Sequence, residues 1–225
     1  MNKLLLIVTL NLTLFVSTSL SKEVVSIVFS ERVNNIAYSY IDKVKEIYRN
    51  VGVEPLIKIY PESRSVYLFN NSKVDSLGIK IEEFETKNTN AIKVNFPIYK
   101  DFKFKAFVLK EDLKRVQDLK NPFVVTSSAC LGCLEYSKLH NLKISSYFKK
   151  LGTGVKLLKL RRADIIIASE FTIKSYSNKF FVPLNSNEFT TNLYHFISKK
   201  KSHLKGKLEE EFRLAFSKST SVPNK

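Results

Sequence analysis

The chain has 225 residues, 44% of them apolar, and its 37 basic side chains outnumber 21 acidic ones to give a net charge of +16. That length holds one domain or two small lobes with a real core, and so ordinary an apolar share excludes a disordered or low-complexity chain. The charge admits nucleic acid as a partner, yet the lysines are scattered and the one dense run is Lys199-Lys200-Lys201; they read as a solvated surface, and no nucleic-acid partner is expected.

Met1-Asn2-Lys3, the apolar stretch Leu4–Val16 and the small polar residues up to Ser21 match the three regions of a secretory leader, with cleavage expected after Ser21. The apolar stretch is too short and too interrupted for a membrane span. Val24–Phe29 then reads as a strand, and Ile36, Tyr40, Val44, Ile47 and Tyr48 mark an amphipathic helix over Asn34–Asn50, closed by Gly52. Val53–Tyr60, Arg64–Asn70 and Val74–Ile81 continue as strand, helix and strand. The order β-α-β-α-β favours a doubly wound α/β sheet. Asn88–Tyr99 is extended, Phe102–Leu109 alternates as a strand, and Glu111–Leu119 is a short charged helix or turn.

A second α/β unit follows. Phe123–Val125 is a buried strand, Thr126–Ala129 a loop of small residues, Cys130–Leu139 a helix, and Lys143–Lys150 a short helix or strand. Gly152-Thr153-Gly154 reads as a turn, Val155–Arg161 as a helix with a basic face, and Ala163–Ser169 as a buried strand. Glu170–Tyr176 is helical, Phe180–Leu184 and Tyr194–Ser198 are strands, Ser202–Phe216 is a closing helix, and Ser217–Lys225 an unstructured tail.

The polar residues at the joints are the candidates for chemistry, because ligands of open α/β sheets sit outside the carboxyl ends of strands. Arg64, near the start of the helix after the second strand, either meets an anionic group or pairs with a nearby acid such as Glu62. Ser127 and Ser128 precede a helix and either receive an anion or cap that helix. Tyr60 and Tyr99 are either aromatic walls of a site or ordinary core. Cys130 and Cys133 are the only cysteines. A C-x-x-C at a helix start fits a dithiol redox site, whereas an exported chain favours a local structural disulfide. Two thiols supply half a zinc site, and His140, His195 and His203 lack ligand spacing, so no metal and no cofactor are expected. No nucleophile triad or Gly-rich phosphate loop stands out, so an enzyme is not expected.

In order along the chain, Pro61-x-x-Arg64 with Val74-Asp75-Ser76-Leu77-Gly78, Val94-x-Phe96-Pro97-Ile98-Tyr99, Asp118-Leu119-Lys120 before Val124-Val125, and Leu160-Arg161-Arg162-Ala163-Asp164-Ile165-Ile166-Ile167 resemble the periplasmic solute-binding proteins of amino-acid transporters, the family 3 extracellular solute-binding proteins. The resemblance implies a type 2 periplasmic-binding-protein-like fold: two α/β lobes, each a doubly wound sheet, joined by two hinge strands. Lobe one is then residues 22–103 with 192–225, and lobe two is residues 104–191. A small polar or anionic, amino-acid-like molecule would bind between them, for an ABC-type permease or a sensor, in a monomeric periplasmic protein. The family's carboxylate-binding Arg falls in Thr86–Asn90, where the only cation is Lys87, and its ammonium-binding Asp matches Ser169, with Glu170 beside it. The candidate site is therefore Arg64, Lys87, Ser127, Ser128, Ser169 and Glu170, with Tyr60 and Tyr99. The alternatives are an exported dithiol oxidoreductase using Cys130 and Cys133, and an interaction protein on the same fold that takes no ligand.

Overall fold

A computed structural model describes residues 22–31, 38–177 and 179–217. The expected leader with its cleavage point, the start of the helix expected from Asn34, and all but the first residue of the expected tail lie outside these residues.

Strand β1 (Val24–Ser30) is flanked by β2 (Glu54–Tyr60) and β3 (Ser76–Ile81), both parallel to it. The helix between β1 and β2, α1 (Tyr38–Asn50), packs down through Tyr40, Ile41, Val44, Ile47 and Tyr48, each 5% exposed or less. That spacing puts one continuous stripe on the sheet. Gly52, at φ 90°, ends the helix by donating to the Arg49 carbonyl at 3.0 Å, a backbone conformation glycine adopts without strain. Helix α2 (Glu62–Asn70) crosses from β2 to β3 and buries Ser65 and Phe69.

Two long strands follow different rules. β5 (Tyr99–Leu109) pairs with β10 (Phe189–Ser198) through its first half and with β8 (Ile165–Ser169) and β9 (Phe181–Pro183) through its second. β10 in turn leaves β5 at Leu193 and pairs with β3 and the short β4 (Ala91–Lys93), with register shifts after Thr191 and after Tyr194. β8 and β7 (Ile144–Phe148) are parallel to β6 (Val124–Ser127), with α4 (Leu131–Leu139) and α5 (Leu151–Lys159) as the crossovers. β6 and β8 are buried at every position, as expected of parallel strands covered on both faces. The remaining helices are α3 (Leu113–Gln117), α6 (Glu170–Ser177) and α7 (Lys205–Ser217).

The hydrogen-bond ladder is thus unbroken, in the order β2-β1-β3-β10-β5-β8-β6-β7. Packing still divides it. Val25, Phe29, Val44, Tyr48 and Phe212 lie in one core and Val28, Phe69, Leu77 and Phe196 in another, on either side of the first half. Phe107, Phe148, Leu158 and Ile166, and on the other side Phe104, Tyr136, Ile165 and Ile167, fill the second half. Each half has a sheet with helices on both faces, and among the described residues only β5 and β10 run through both.

Gly152-Thr153-Gly154 is not a turn but the first part of α5. Gly154 lies so near the Phe148 ring that an added Cβ would overlap it. The glycine lets the helix approach its sheet, and it mimics a turn signal. The open reading at Lys143–Lys150 resolves as a strand, and Asn88–Tyr99 is extended only at β4 and from Tyr99 onward. The last strand is longer than expected, since β10 begins at Phe189.

Candidate functional site

The register fixes which ends of the strands meet. Parallel β1 and β3 run their carboxyl ends toward Ile81, which pairs with Leu193. In the other half β8 ends at Ser169 opposite Phe104, and Phe104 pairs with Phe189. The two sets of carboxyl ends therefore face each other across the few residues separating Phe189 from Leu193, roughly 14 Å of strand. This is the location where α/β sheets take ligands, here supplied from two sides.

The floor of the gap is aromatic. Tyr99, Phe102, Phe104 and Phe189 stand in series with ring centroids 5.5, 5.3 and 6.0 Å apart. Tyr99 is thus part of this series and remains 37% exposed. Cys130 and Cys133 are joined by a disulfide at the start of α4. Gly132, inside that bridge, sits on the Phe104 ring with no room for a Cβ. Leu131 packs against the core of its own half and also against the core holding Phe69 and Val66 in the other.

The expected site residues lie at these facing ends, and Arg64, Lys87, Ser169 and Glu170 each meet a protein partner there. Arg64 is exposed and its guanidinium stacks on Tyr60, 4.6 Å from the ring centroid. It does not pair with Glu62, which forms an ion pair with Lys80 on β3. Lys87 pairs with Glu135 on α4 and so links the two halves. Ser127 is buried at the end of β6, and Ser128 is exposed. Ser169 caps α6, its Oγ accepting from the Thr172 amide at 3.1 Å. Glu170 pairs with Lys174 one turn on, at 3.2 Å.

Several groups at the gap were not singled out by sequence. Glu83 accepts a 3.0 Å bond from the Thr191 hydroxyl on β10. Glu188 takes Lys103 and Lys105 at 3.0 and 3.4 Å, and the Lys103 hydrogen bond holds its carboxyl below the usual range. Long-range pairing decides these positions, so no local pattern in the sequence marks them. Asp75 and Asp164 behave as structural acids. Asp75 accepts from the Ser26 amide and hydroxyl at 2.9 and 2.7 Å, and Asp164 from the Phe123 amide at 2.8 Å. Among the described residues no group of three or more His, Cys, Asp or Glu could hold a metal.

Leu131 and the Lys87–Glu135 pair form a latch between the halves. Leu131→Ala combined with Lys87→Ala is expected to enlarge the radius of gyration measurably in small-angle X-ray scattering while leaving the far-ultraviolet circular dichroism unchanged. An unaltered scattering profile would dismiss the latch.

No protein-family profile matches the sequence, and no curated protein does. Solved structures do match. The P235GK mutant of ArgBP from T. maritima is 21% identical with a TM-score of 0.68, over 87% of this chain and 90% of that one. The GluR0 ligand-binding core from Nostoc punctiforme, solved with (L)-glutamate, is 15% identical with a TM-score of 0.68, over 87% and 93%. A putative L-cystine ABC transporter from Listeria monocytogenes is 18% identical with a TM-score of 0.65, over 88% and 92%. At these identities the likeness establishes the fold, which is two-lobed and periplasmic-binding-protein-like.

Proposed function

We propose that the chain is an exported, periplasmic solute-binding protein that captures a small polar or anionic, amino-acid-like molecule between its lobes. It would hand the molecule to a membrane permease or a sensor, acting as a monomer. The observation that carries this reading is the opposed carboxyl ends of two parallel strand sets, hinged by β5 and β10. The lobes divide at 103/104 and 191/192, within those two strands. Hinged lobes closing on a ligand are a standard way to couple capture to a change of shape. Structures of the same fold include the (L)-glutamate complex named above and the arginine-bound Gly52Ala mutant of ArgBP from T. maritima.

Arg64 is the candidate cation with the least to lose: among the described residues only its stack on Tyr60 competes with an incoming anion. Lys87 would have to leave Glu135, so binding and release of the latch become one event. Ser127 and Ser128 supply hydroxyls from the opposite side, while Ser169, Glu170 and Tyr99 border the gap.

The test is a thermal-shift screen of the chain from Lys22 against amino acids, organic acids and small anions. A ligand at 100 times its Kd adds about 2.7 kcal/mol, a rise of several degrees in Tm for a chain this size. Arg64→Ala is expected to weaken that ligand at least tenfold and to leave the ligand-free Tm in place, because Arg64 is exposed. No stabilisation across a broad library would sink the reading.

One observation favours a second reading, an interaction protein that takes no ligand: Leu131 and the Lys87–Glu135 pair already occupy the space between the lobes. The same screen separates the two. The reduction potential of the Cys130–Cys133 disulfide tests the dithiol oxidoreductase reading, and a pair that resists reduction ends it.

A further inference from the structure

The end of lobe two farthest from the gap has its own chemistry. Parallel β6, β7 and β8 oblige both crossovers to return to the strands' amino ends. The turns at 139–143 and 160–164 therefore lie together at that end. Three contacts bring the remaining loops to them. The Asp164 amide donates to the Phe123 carbonyl at 2.9 Å, Arg161 meets Asp112 at 3.3 Å, and the Lys110 amide donates to the Phe180 carbonyl at 2.9 Å.

Each of these loops leaves an apolar side chain in water. Leu119 is 37% exposed, Phe123 43%, Leu139 60%, Leu160 52% and Phe180 53%. These are loop tips on one pole, not scattered single residues, and such a set calls for a partner. Around them the charge is largely basic: between Tyr136 and Ala163 the sequence has no acid, and of its eight lysines and arginines all but Lys149 and Lys150, which follow the carboxyl end of β7, belong to the turns at this pole or the helices leading into them. Lys138, Lys143, Lys156, Lys159 and Arg162 in this stretch are exposed. Lys159 lies 5.1 Å above the Phe180 ring, so cation and apolar tip adjoin. Of the acids at this pole Asp112 and Asp164 pair with Arg115, and Asp112 and Glu111 with Arg161, while Asp118 beside Leu119 is exposed.

We propose that this pole docks on an anionic lipid surface. Separate apolar tips at one level, ringed by cations on flexible stems, suit a fluid plane of headgroups: the tips enter the acyl boundary and the lysines stay at the phosphates. The pole faces away from the interlobe gap, so the inference holds whether or not the gap takes a solute.

The test is co-sedimentation of the chain from Lys22 with vesicles of phosphatidylcholine alone or with 30% phosphatidylglycerol. Binding is expected only with the anionic lipid, and at least tenfold weaker in 0.5 M NaCl. Lys138→Glu with Lys143→Glu and Arg162→Glu should lower it at least tenfold, and so should Leu139→Ser with Leu160→Ser and Phe180→Ser. All six positions are exposed and lie outside the core, and circular dichroism of each variant verifies folding. Equal binding to both vesicle types, or none, overturns the proposal; none would point instead to an acidic protein partner. Wild-type binding by the charge-reversed protein, with loss in Lys199→Glu/Lys200→Glu, overturns it as well by placing the contact on another face.

Discussion

Gly78→Ala is expected to cost the fold about 2–4 kcal/mol, although the change adds a single methyl group. Elsewhere in a strand that replacement would help, because glycine is the less favourable residue by roughly 0.5–1 kcal/mol. Here the methyl has no place. Gly78 lies on β3 with the Phe29 ring directly over its Cα, and Phe29 is 1% exposed in a closed core. The ring also meets Tyr40 edge-on at 5.8 Å, so it cannot step aside freely. The Gly78 carbonyl adds a second penalty. It accepts the Tyr40 hydroxyl at 2.9 Å and the His195 Nδ1–H at 3.0 Å, and a displaced backbone would strand both buried donors. Urea unfolding measures the loss. Phe29→Leu in the same chain should return part of it, giving a double mutant more stable than the sum of the two changes by about 1 kcal/mol. Strict additivity would show that the ring is not the obstacle.

The contrast between Gly78 and Gly154 shows what a sequence can display. Both glycines are there for close packing against a phenylalanine, at Phe29 and Phe148, partners 49 and 6 positions away. Local reading assigned Gly152–Gly154 to a turn, because a pair of glycines carries the same signature whether it bends a chain or lets a helix lie flat. By contrast the β6 and β8 runs were plain to read, since strands covered on both faces carry unbroken apolar residues. The order of elements and the two-lobed architecture followed from such runs and from the motifs spread between Pro61 and Ile167. The gap was legible as a place but not as a set of contacts. That Arg64 would stack on Tyr60, that Glu62 would choose Lys80, and that Lys87 would reach Glu135 all depend on the register of strands distant in sequence. The poles were hidden for the same reason, as Leu139, Leu160 and Phe180 become neighbours only after the crossovers are closed.

His195 is the residue whose role the sequence concealed most completely, and it should make stability depend on pH. Its strand, β10, carries it into the interior, 0% exposed, between α1 and β3. There Nδ1 donates to the Gly78 carbonyl, which leaves Nε2 as the acceptor. The Tyr48 hydroxyl lies 2.8 Å from Nε2 and can supply the proton, while Ser76, also 2.8 Å away, spends its own on the Phe196 carbonyl. Every group is satisfied with a neutral ring. Burial, opposed by the Gly78 bond, pushes the imidazole pKa down to about 4 from its ordinary 6.5. Below pH 6.5 the unfolded chain therefore takes up a proton that the folded one refuses. Stability is full above pH 6.5, falls as the pH drops toward 4, and levels below it, with a total loss of about 3 kcal/mol from this residue. Exposed carboxylates add their own loss at the acid end, so the measurement is a difference. Urea midpoints of the native chain and of His195→Gln, taken from pH 7 to pH 4.5, share every other titrating group. The native chain should lose stability faster across that window; parallel profiles would mean that the ring is charged inside the fold, or that water reaches it.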